Sequence, residues 1–315
     1  MLINWNRILS HMPIPAPLAR FISRSNIRAF APVLLFGAFL VLFFGMMSAL
    51  HLNSSNATPK DAGAANELRA RIFWGGSFVV LGVVTFWNLP LAAASMWDYL
   101  SRKAAGIMAV LTLLTALALG IGTRYGGSGA QDLLSKLQDN LGIRISFLTG
   151  FMNVAVATAI IFFIVSCVAI GSAPTLPLTA IDLRRRIFDL RMLLCSSAAL
   201  LAAGVTEIFF LFDWPRHVPA LSADPSVTLA SAISAVAGAL YTFLLVVIYV
   251  PIALIHERWK LELQNQLASA NDSFDSDAWL KKTGLTTSTV NSFTEIAAMV
   301  SPLLASIGVP WLVVK

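Results

Sequence analysis

Six long apolar runs dominate this chain, and each is long enough to cross a lipid bilayer as a helix. A crossing needs about 20 apolar residues to span roughly 30 Å of hydrocarbon. Only 12% of the residues are charged, against about 25% in a soluble domain. Because so few charges cannot keep a surface in water, we predict an all-α fold, a polytopic helical transmembrane bundle. The six predicted spans are 30–50, 73–96, 105–123, 146–172, 192–212 and 227–255.

The Lys and Arg residues predict the orientation of this bundle. They alternate in density from gap to gap, with fourteen in the N-terminal segment and alternate gaps and seven in the others. Positively charged residues favour the cytoplasmic side, so we expect both termini in the cytoplasm. Compact loops favour a bacterial inner membrane. We attribute the net charge of +6 to contact with the bilayer and its anionic headgroups, and we expect no nucleic-acid partner.

Segments outside the predicted bundle, which covers 30–255, also have helical patterns. Residues 1–29 mix apolar residues with arginines and are typical of a cytoplasmic interfacial segment. Leucines and charged residues in 131–143 recur with helical period and predict an amphipathic helix on the outer surface. Residues 182–194 predict a similar helix on the inner side, which runs into the fifth span. Residues 256–315 are predicted to form a cytoplasmic helical subdomain.

Two helices are predicted within this C-terminal subdomain. Ser276 as N-cap and Gly284 as C-terminal stop indicate a short polar helix. Ser292 followed by Glu295 fits a capping box. The uncharged stretch 296–314 follows a helical rhythm, which favours a helix docked on the cytoplasmic face. It is also just long enough to be a seventh span, and this alternative stays open.

Glu207, in the outer half of the fifth span, is the most informative single residue. An ionisable side chain is costly at membrane depth, and the charged form is disfavoured unless a cation pairs with it. Arg124, at the outer end of the third span, is the first candidate partner and Arg216 the second, with Asp213 also near the outer interface. The functional interpretation is a proton or cation site. The structural interpretation is a carboxyl group that locks two helices together.

Polar residues in other spans indicate a path toward Glu207. Asn88 lies in the second span beside a proline, Asn153 in the fourth, Tyr241 in the sixth, and Thr206 directly precedes the carboxylate. A helix broken by proline can offer backbone groups to an ion or substrate. Prolines are also routine in membrane helices, where neighbouring groups satisfy the backbone.

Side chains that bind metals or catalyse reactions are sparse. The two cysteines lie within apolar runs and the four histidines lack ligand spacing, so we predict no metal and no cofactor. No nucleotide-binding or metallopeptidase motif is present. The acidic and titratable pair of Asp213 and His217 is the cluster best suited to an enzyme. An enzymatic function is therefore less favoured than a non-enzymatic one.

Small residues recur at every fourth position in the sixth span. Ser231, Ala235 and Ala239 form one stripe, with Ser234 and Gly238 beside it. Such stripes let helix backbones approach closely, so we expect tight packing within the bundle, in a homo-oligomer, or against a membrane partner.

Three functions follow from these observations. The favoured hypothesis is a small transporter or channel-like protein, with the membrane-embedded carboxylate of Glu207 as proton or cation site. The alternative is a non-catalytic membrane subunit, such as a scaffold, sensor or effector partner in a larger assembly. The third is a membrane-embedded lipid-modifying enzyme that acts through Asp213 and His217.

Overall fold

The structure is a computed structural model, and it describes residues 62–125, 145–172, 178–218, 230–270, 274–286 and 289–313. Within these ranges the chain forms seven α-helices and one short 3-10 helix, and no strand. The helices are α1 (Ala62–Tyr99), α2 (Arg102–Tyr125), α3 (Ile145–Gly171), α4 (Ala180–Asp213), the 3-10 helix (Trp214–His217), α5 (Ala230–Ala270), α6 (Ser276–Thr283) and α7 (Thr289–Val313).

Five helices in the described part of the chain are long and apolar enough to cross a membrane. They are the segments Ala65–Tyr99, Thr149–Gly171, Ala180–His217, Ala230–Ser269 and Ser292–Pro310, which belong to α1, α3, α4, α5 and α7. The protein is therefore all-helical in its described part and compatible with an integral membrane location.

The predicted six spans are confirmed only in part. The spans 73–96, 146–172, 192–212 and 227–255 coincide with α1, α3, α4 and α5. The span 30–50, the interfacial segment 1–29 and the outer helix 131–143 lie outside the described residues. Helix α2, which contains the span 105–123, is not among the five candidates. The span count and the orientation of the termini therefore stay predictions.

Helix α4 lies at the centre of the bundle and packs against α1, α3, α5 and α7. One apolar core surrounds Trp74 and Phe78 of α1, and a second surrounds Phe163, Leu193 and Leu245 of α3, α4 and α5. These side chains are at most 1% exposed. Large apolar residues also cover the outer surface, which is the pattern expected where lipid replaces water as the solvent.

The helix boundaries confirm two local predictions and correct a third. The inner amphipathic segment 182–194 is the first part of α4, which begins at Ala180 behind the N-cap Thr179. The cap of α6 is Asp275 rather than Ser276, because the Asp275 carboxylate accepts hydrogen bonds from two backbone N–H groups of the first turn. Gly284 does end α6, with a φ of 70° that glycine adopts without strain.

Helix α7 begins earlier than predicted and runs alongside α5. It starts at Thr289, so Glu295 lies in the second turn and pairs with Arg191 of α4 instead of closing a capping box. Further along, Ser306 lies against Gly238 of α5. Helix α7 is therefore antiparallel to α5 and contacts it over several turns.

Candidate functional site

Glu207 is buried near the C-terminal end of α4, and its contacts are aromatic. The side chain is 8% exposed, and the indole Nε1–H of Trp74 donates a hydrogen bond to Glu207 Oε1 over 3.1 Å. Tyr241 of α5 lies within electrostatic range of the same carboxyl group. Among the side chains that the structure describes, no cation lies within ion-pair distance of Glu207.

Trp74 is held in place by other aromatic rings. Its ring centroid lies 5.2 Å from that of Trp214 and 5.4 Å from that of Phe78, within the outer apolar core. Because Trp74 is only 1% exposed and its rotation is blocked by these rings, its N–H stays directed at Glu207. The carboxylate therefore has a fixed, uncharged donor.

Arg216, the second predicted cation partner, does not contact Glu207. Arg216 Nη1 instead lies 3.3 Å from Asp213 Oδ1, and His217 Nε2 lies 3.5 Å from Asp213 Oδ2. Asp213 is itself 5% exposed, and both of these contacts come from the 3-10 helix that follows it. The side chain of Arg124 lies outside the described residues, and its pairing with Glu207 stays a prediction.

Asn88 of α1 contacts α4 at a second buried polar point. It is fully buried, and its Nδ2 donates to Ser196 Oγ and Ser197 Oγ, each over 3.1 Å. Its Oδ1 has no hydrogen-bond partner in the described part of the chain, and the same is true of Thr242 Oγ1 next to Tyr241. These oxygens are acceptors that water or a cation could use.

Two predicted path residues, Asn153 and Thr206, do not lie with these buried polar groups. The Asn153 side chain is exposed on the outer surface of α3. The Thr206 hydroxyl donates to the Ala202 carbonyl over 3.0 Å, so its hydrogen is used within its own helix. Thr206 lines a separate, mostly apolar cavity of about 420 Å³ between α1 and α4. Of the predicted path residues, the fold therefore buries Asn88 and Glu207 in the bundle and half-buries Tyr241.

A second cavity, which we call the basal cavity, lies at the opposite end of α4. It has a volume of about 490 Å³ and is bounded by α4, α5, α7 and the turn after α6. Arg191 Nε donates to Glu295 Oε1 over 2.6 Å, and the Tyr249 hydroxyl contacts both side chains. Its other polar lining residues are Arg184, His256, Glu257 and Thr286. Sequence patterns gave no signal for it, because its residues come from four separate segments.

Arg186 is a buried structural residue within 182–194, the segment predicted to form an amphipathic helix on the inner side. It is 9% exposed, and its Nη1 donates to the Ile170 carbonyl over 2.6 Å and the Ser172 carbonyl over 2.8 Å. The guanidinium lies 4.9 Å from the Tyr99 ring and 5.4 Å from the Trp259 ring. Arg186 therefore satisfies the C-terminal carbonyls of α3 while two aromatic rings shield its charge.

No group of three or more potential metal ligands is found in the described residues. No protein-family model, curated protein or solved structure matches this chain. In its described part the chain is all-helical, with five helices long and apolar enough to cross a membrane.

Proposed function

We propose that this protein is a small membrane transport protein in which Glu207 binds and releases a proton or a cation. The observation that carries the proposal is the environment of Glu207, a buried carboxylate with one neutral indole donor and no described cation partner. A purely structural carboxyl of this kind would be expected to pair with Arg or Lys, since an unpaired charge is costly in a dry interior.

The neighbouring polar groups support a path through the bundle. Asn88 Oδ1 and Thr242 Oγ1 are buried acceptors without partners in the described residues, and Tyr241 lies within electrostatic range of Glu207. Ser196 is eleven residues from Glu207 on α4, which corresponds to roughly 16 Å along the helix. An ion or proton that moves between Glu207 and the Asn88–Ser196 contact would pass along the region where α1, α4 and α5 meet.

The same proposal treats α7 as a membrane span. The helix is apolar, lies antiparallel to α5, and contacts it from Tyr249 and Glu295 at one end to Gly238 and Ser306 toward the other. A helix packed along the length of two spans shares their depth in the bilayer. We therefore propose the seventh-span alternative over surface docking, with Lys315 on the outer side of the cytoplasmic membrane.

Flux in proteoliposomes tests the transport function. The full chain is reconstituted, and proton and cation movement is followed with internal dyes under an imposed gradient. Glu207→Gln keeps an oxygen that accepts from Trp74 but cannot titrate, so flux should fall at least tenfold while the protein still folds. Glu262→Gln is the matched control, because Glu262 is exposed and pairs with Arg258 far from the site. Equal flux in Glu207→Gln, or no flux in the wild type, would refute the proposal.

The indole donor provides a second test. Trp74→Phe removes the N–H but keeps an aromatic ring, so it should change the rate of flux at fixed pH. Trp87→Phe is the control, since Trp87 is 56% exposed on the same helix. Identical rates in both variants would mean that the Trp74 hydrogen bond does not tune the carboxylate.

One observation favours the second candidate, a non-catalytic membrane subunit. The predicted stripe of Ser231, Ala235 and Ala239 is exposed, whereas its neighbours Ser234 and Gly238 are buried. An exposed small-residue face on a membrane helix suits close packing against another helix. Ala235→Leu should then break a complex detected by native electrophoresis; an unchanged migration together with normal flux would exclude this candidate.

A further inference from the structure

The groups around the Glu207 carboxyl are mostly apolar or donate hydrogen bonds, and few of them offer an oxygen atom. Trp74 Nε1–H donates to Glu207 Oε1 over 3.1 Å, and other aromatic rings pack against Trp74. The hydroxyls of Ser77 and Thr206 donate to carbonyls of their own helices, and both residues line the apolar cavity between α1 and α4. Among the described side chains, the Tyr241 hydroxyl is then the oxygen that remains within electrostatic range of Glu207.

The helix backbones at this level of the bundle do not add oxygen ligands. Glu207 lies within α4, a continuous helix without a proline. Pro90 of α1 lies sixteen residues beyond Trp74 in the chain. Pro251 of α5 lies ten residues beyond Tyr241. Carbonyls inside a continuous helix accept from the N–H four residues on, whereas cation sites in transporters use the carbonyls of unwound helix segments.

The other buried acceptors of the bundle do not converge on Glu207. Asn88 Oδ1 lies at the level of Ser196, roughly 16 Å from Glu207 along α4. Thr242 Oγ1 is turned by about 100° around α5 from Tyr241, because a helix has 3.6 residues per turn. Neither oxygen can therefore share a ligand with the carboxylate.

This environment disfavours a metal cation because it offers too few oxygen ligands. Ca²⁺ takes about six to eight oxygen ligands, and Mg²⁺ needs an octahedral set. K⁺ gives up its water where rings of carbonyl oxygens replace the hydration shell. The described groups at Glu207 offer two carboxylate oxygens and one hydroxyl, and the Trp74 N–H directs its positive end at Oε1.

A proton needs a single oxygen, and the site accommodates the carboxyl group with and without it. In the protonated form the O–H bond is on Oε2, while Oε1 still accepts from Trp74. In the ionised form both oxygens accept, and the Tyr241 hydroxyl can turn its hydrogen toward them. On release the O–H bond breaks, the bonding electrons stay on the carboxylate, and the proton passes to water. No heavy atom of the protein has to move.

We infer that Glu207 carries a proton and selects against metal cations, because continuous helices and the Trp74 indole surround it with few oxygen ligands. This inference rests on the proposed transport function and narrows its cargo from a proton or cation to a proton.

Ion substitution in proteoliposomes tests the inference, with a permeant anion to balance charge. Replacing Na⁺ and K⁺ by choline on both sides should leave the rate of proton movement unchanged. Internal Na⁺ and K⁺ indicators should report no movement that Glu207→Gln abolishes. A proton rate that requires Na⁺ or K⁺, or metal-ion movement lost in Glu207→Gln, would overturn the inference and leave the transport function standing. No movement of any ion would refute the transport function itself.

Proton release on adding metal ions gives a test that does not depend on flux. The full chain in detergent and weak buffer is titrated with Na⁺, K⁺, Mg²⁺ or Ca²⁺ at several pH values. A metal ion that binds Glu207 displaces its proton, because a coordinating carboxylate is deprotonated. Wild type, Glu207→Gln and the exposed control Glu262→Gln should release equal amounts. An excess of about one proton per chain in wild type over Glu207→Gln would overturn the inference. If Glu207→Gln does not fold, ion substitution on the wild type alone still decides.

Discussion

Helices α5 and α7 approach closely at Gly238, and replacing this glycine by alanine should push the two helices apart. A Cβ at this position would lie 2.6 Å from Ser306 Oγ, 2.7 Å from Ser306 Cβ and 2.8 Å from the Pro302 carbonyl oxygen. All three distances are too short, and the carbonyl belongs to the backbone of α7, so it cannot rotate away. Overpacking of this kind costs about 1–3 kcal/mol.

The free-energy cost of this overpacking is isolated by comparison with Gly308→Ala in α7. A Cβ on Gly308 meets no atom within 4 Å. Both substitutions gain about 0.5–1 kcal/mol because alanine favours a helix more than glycine does, so this gain cancels in their difference. The free energy of unfolding of Gly238→Ala should therefore be about 1–3 kcal/mol lower than that of Gly308→Ala.

The assay is equilibrium unfolding of the purified protein in detergent, followed by tryptophan fluorescence. The expected difference corresponds to a roughly 5- to 150-fold change in the unfolding equilibrium. Adding Ser306→Gly to Gly238→Ala removes the two side-chain contacts but not the Pro302 carbonyl, so it should restore part of the loss. If Gly238→Ala is as stable as Gly308→Ala, α7 does not pack on α5 as described.

Three other experiments test further contacts. Arg186→Met should lower the free energy of unfolding by about 2–5 kcal/mol, because two buried carbonyls lose their donor. Arg185→Met, at an exposed ion pair, should change the free energy of unfolding by less than about 1 kcal/mol. Equal thermal midpoints of the two variants would contradict this prediction. A double-mutant cycle with Arg191→Gln and Glu295→Gln should give a coupling of about 1–3 kcal/mol, and additive effects would show that the 2.6 Å ion pair does not hold α4 to α7. Asp275→Ala should raise the rate of proteolysis within α6, since losing an N-cap costs about 1 kcal/mol; an unchanged rate would mean that this cap is dispensable.

The burial of Glu207 could be predicted from the sequence, but its partner could not. An acidic residue within an apolar run has to enter the bundle, because lipid gives it no hydrogen bonds. The expected partners were cations, whereas the contact found is the indole N–H of Trp74, 133 residues away in the chain. A tryptophan in an apolar run is typical of a lipid-facing or interfacial residue. No residue near Trp74 in the sequence indicates that its N–H will donate to a buried carboxyl group.

Arg186 illustrates a failure of the opposite kind. Three consecutive arginines are typical of a solvated face, and Arg184 and Arg185 are indeed exposed. Helical geometry turns the third arginine by about 100° per residue toward α3, where it meets the free carbonyls of that helix end. Its burial depends on where α3 ends, which is information from another part of the chain.

Hydropathy, helical period and the short-range signals at helix ends are local properties. The amino-acid sequence alone therefore predicts the all-helical class of the described part, four of its five candidate spans and the end of α6 at Gly284. The fifth candidate span is α7. Its antiparallel course beside α5 depends on the contact between a glycine of α5 and a serine of α7. The same holds for the basal cavity, which brings Arg184, His256 and Glu295 together from three helices. Such meetings are decided by how side chains pack across the bundle, because the free energy of a contact belongs to a pair of surfaces and not to either segment alone.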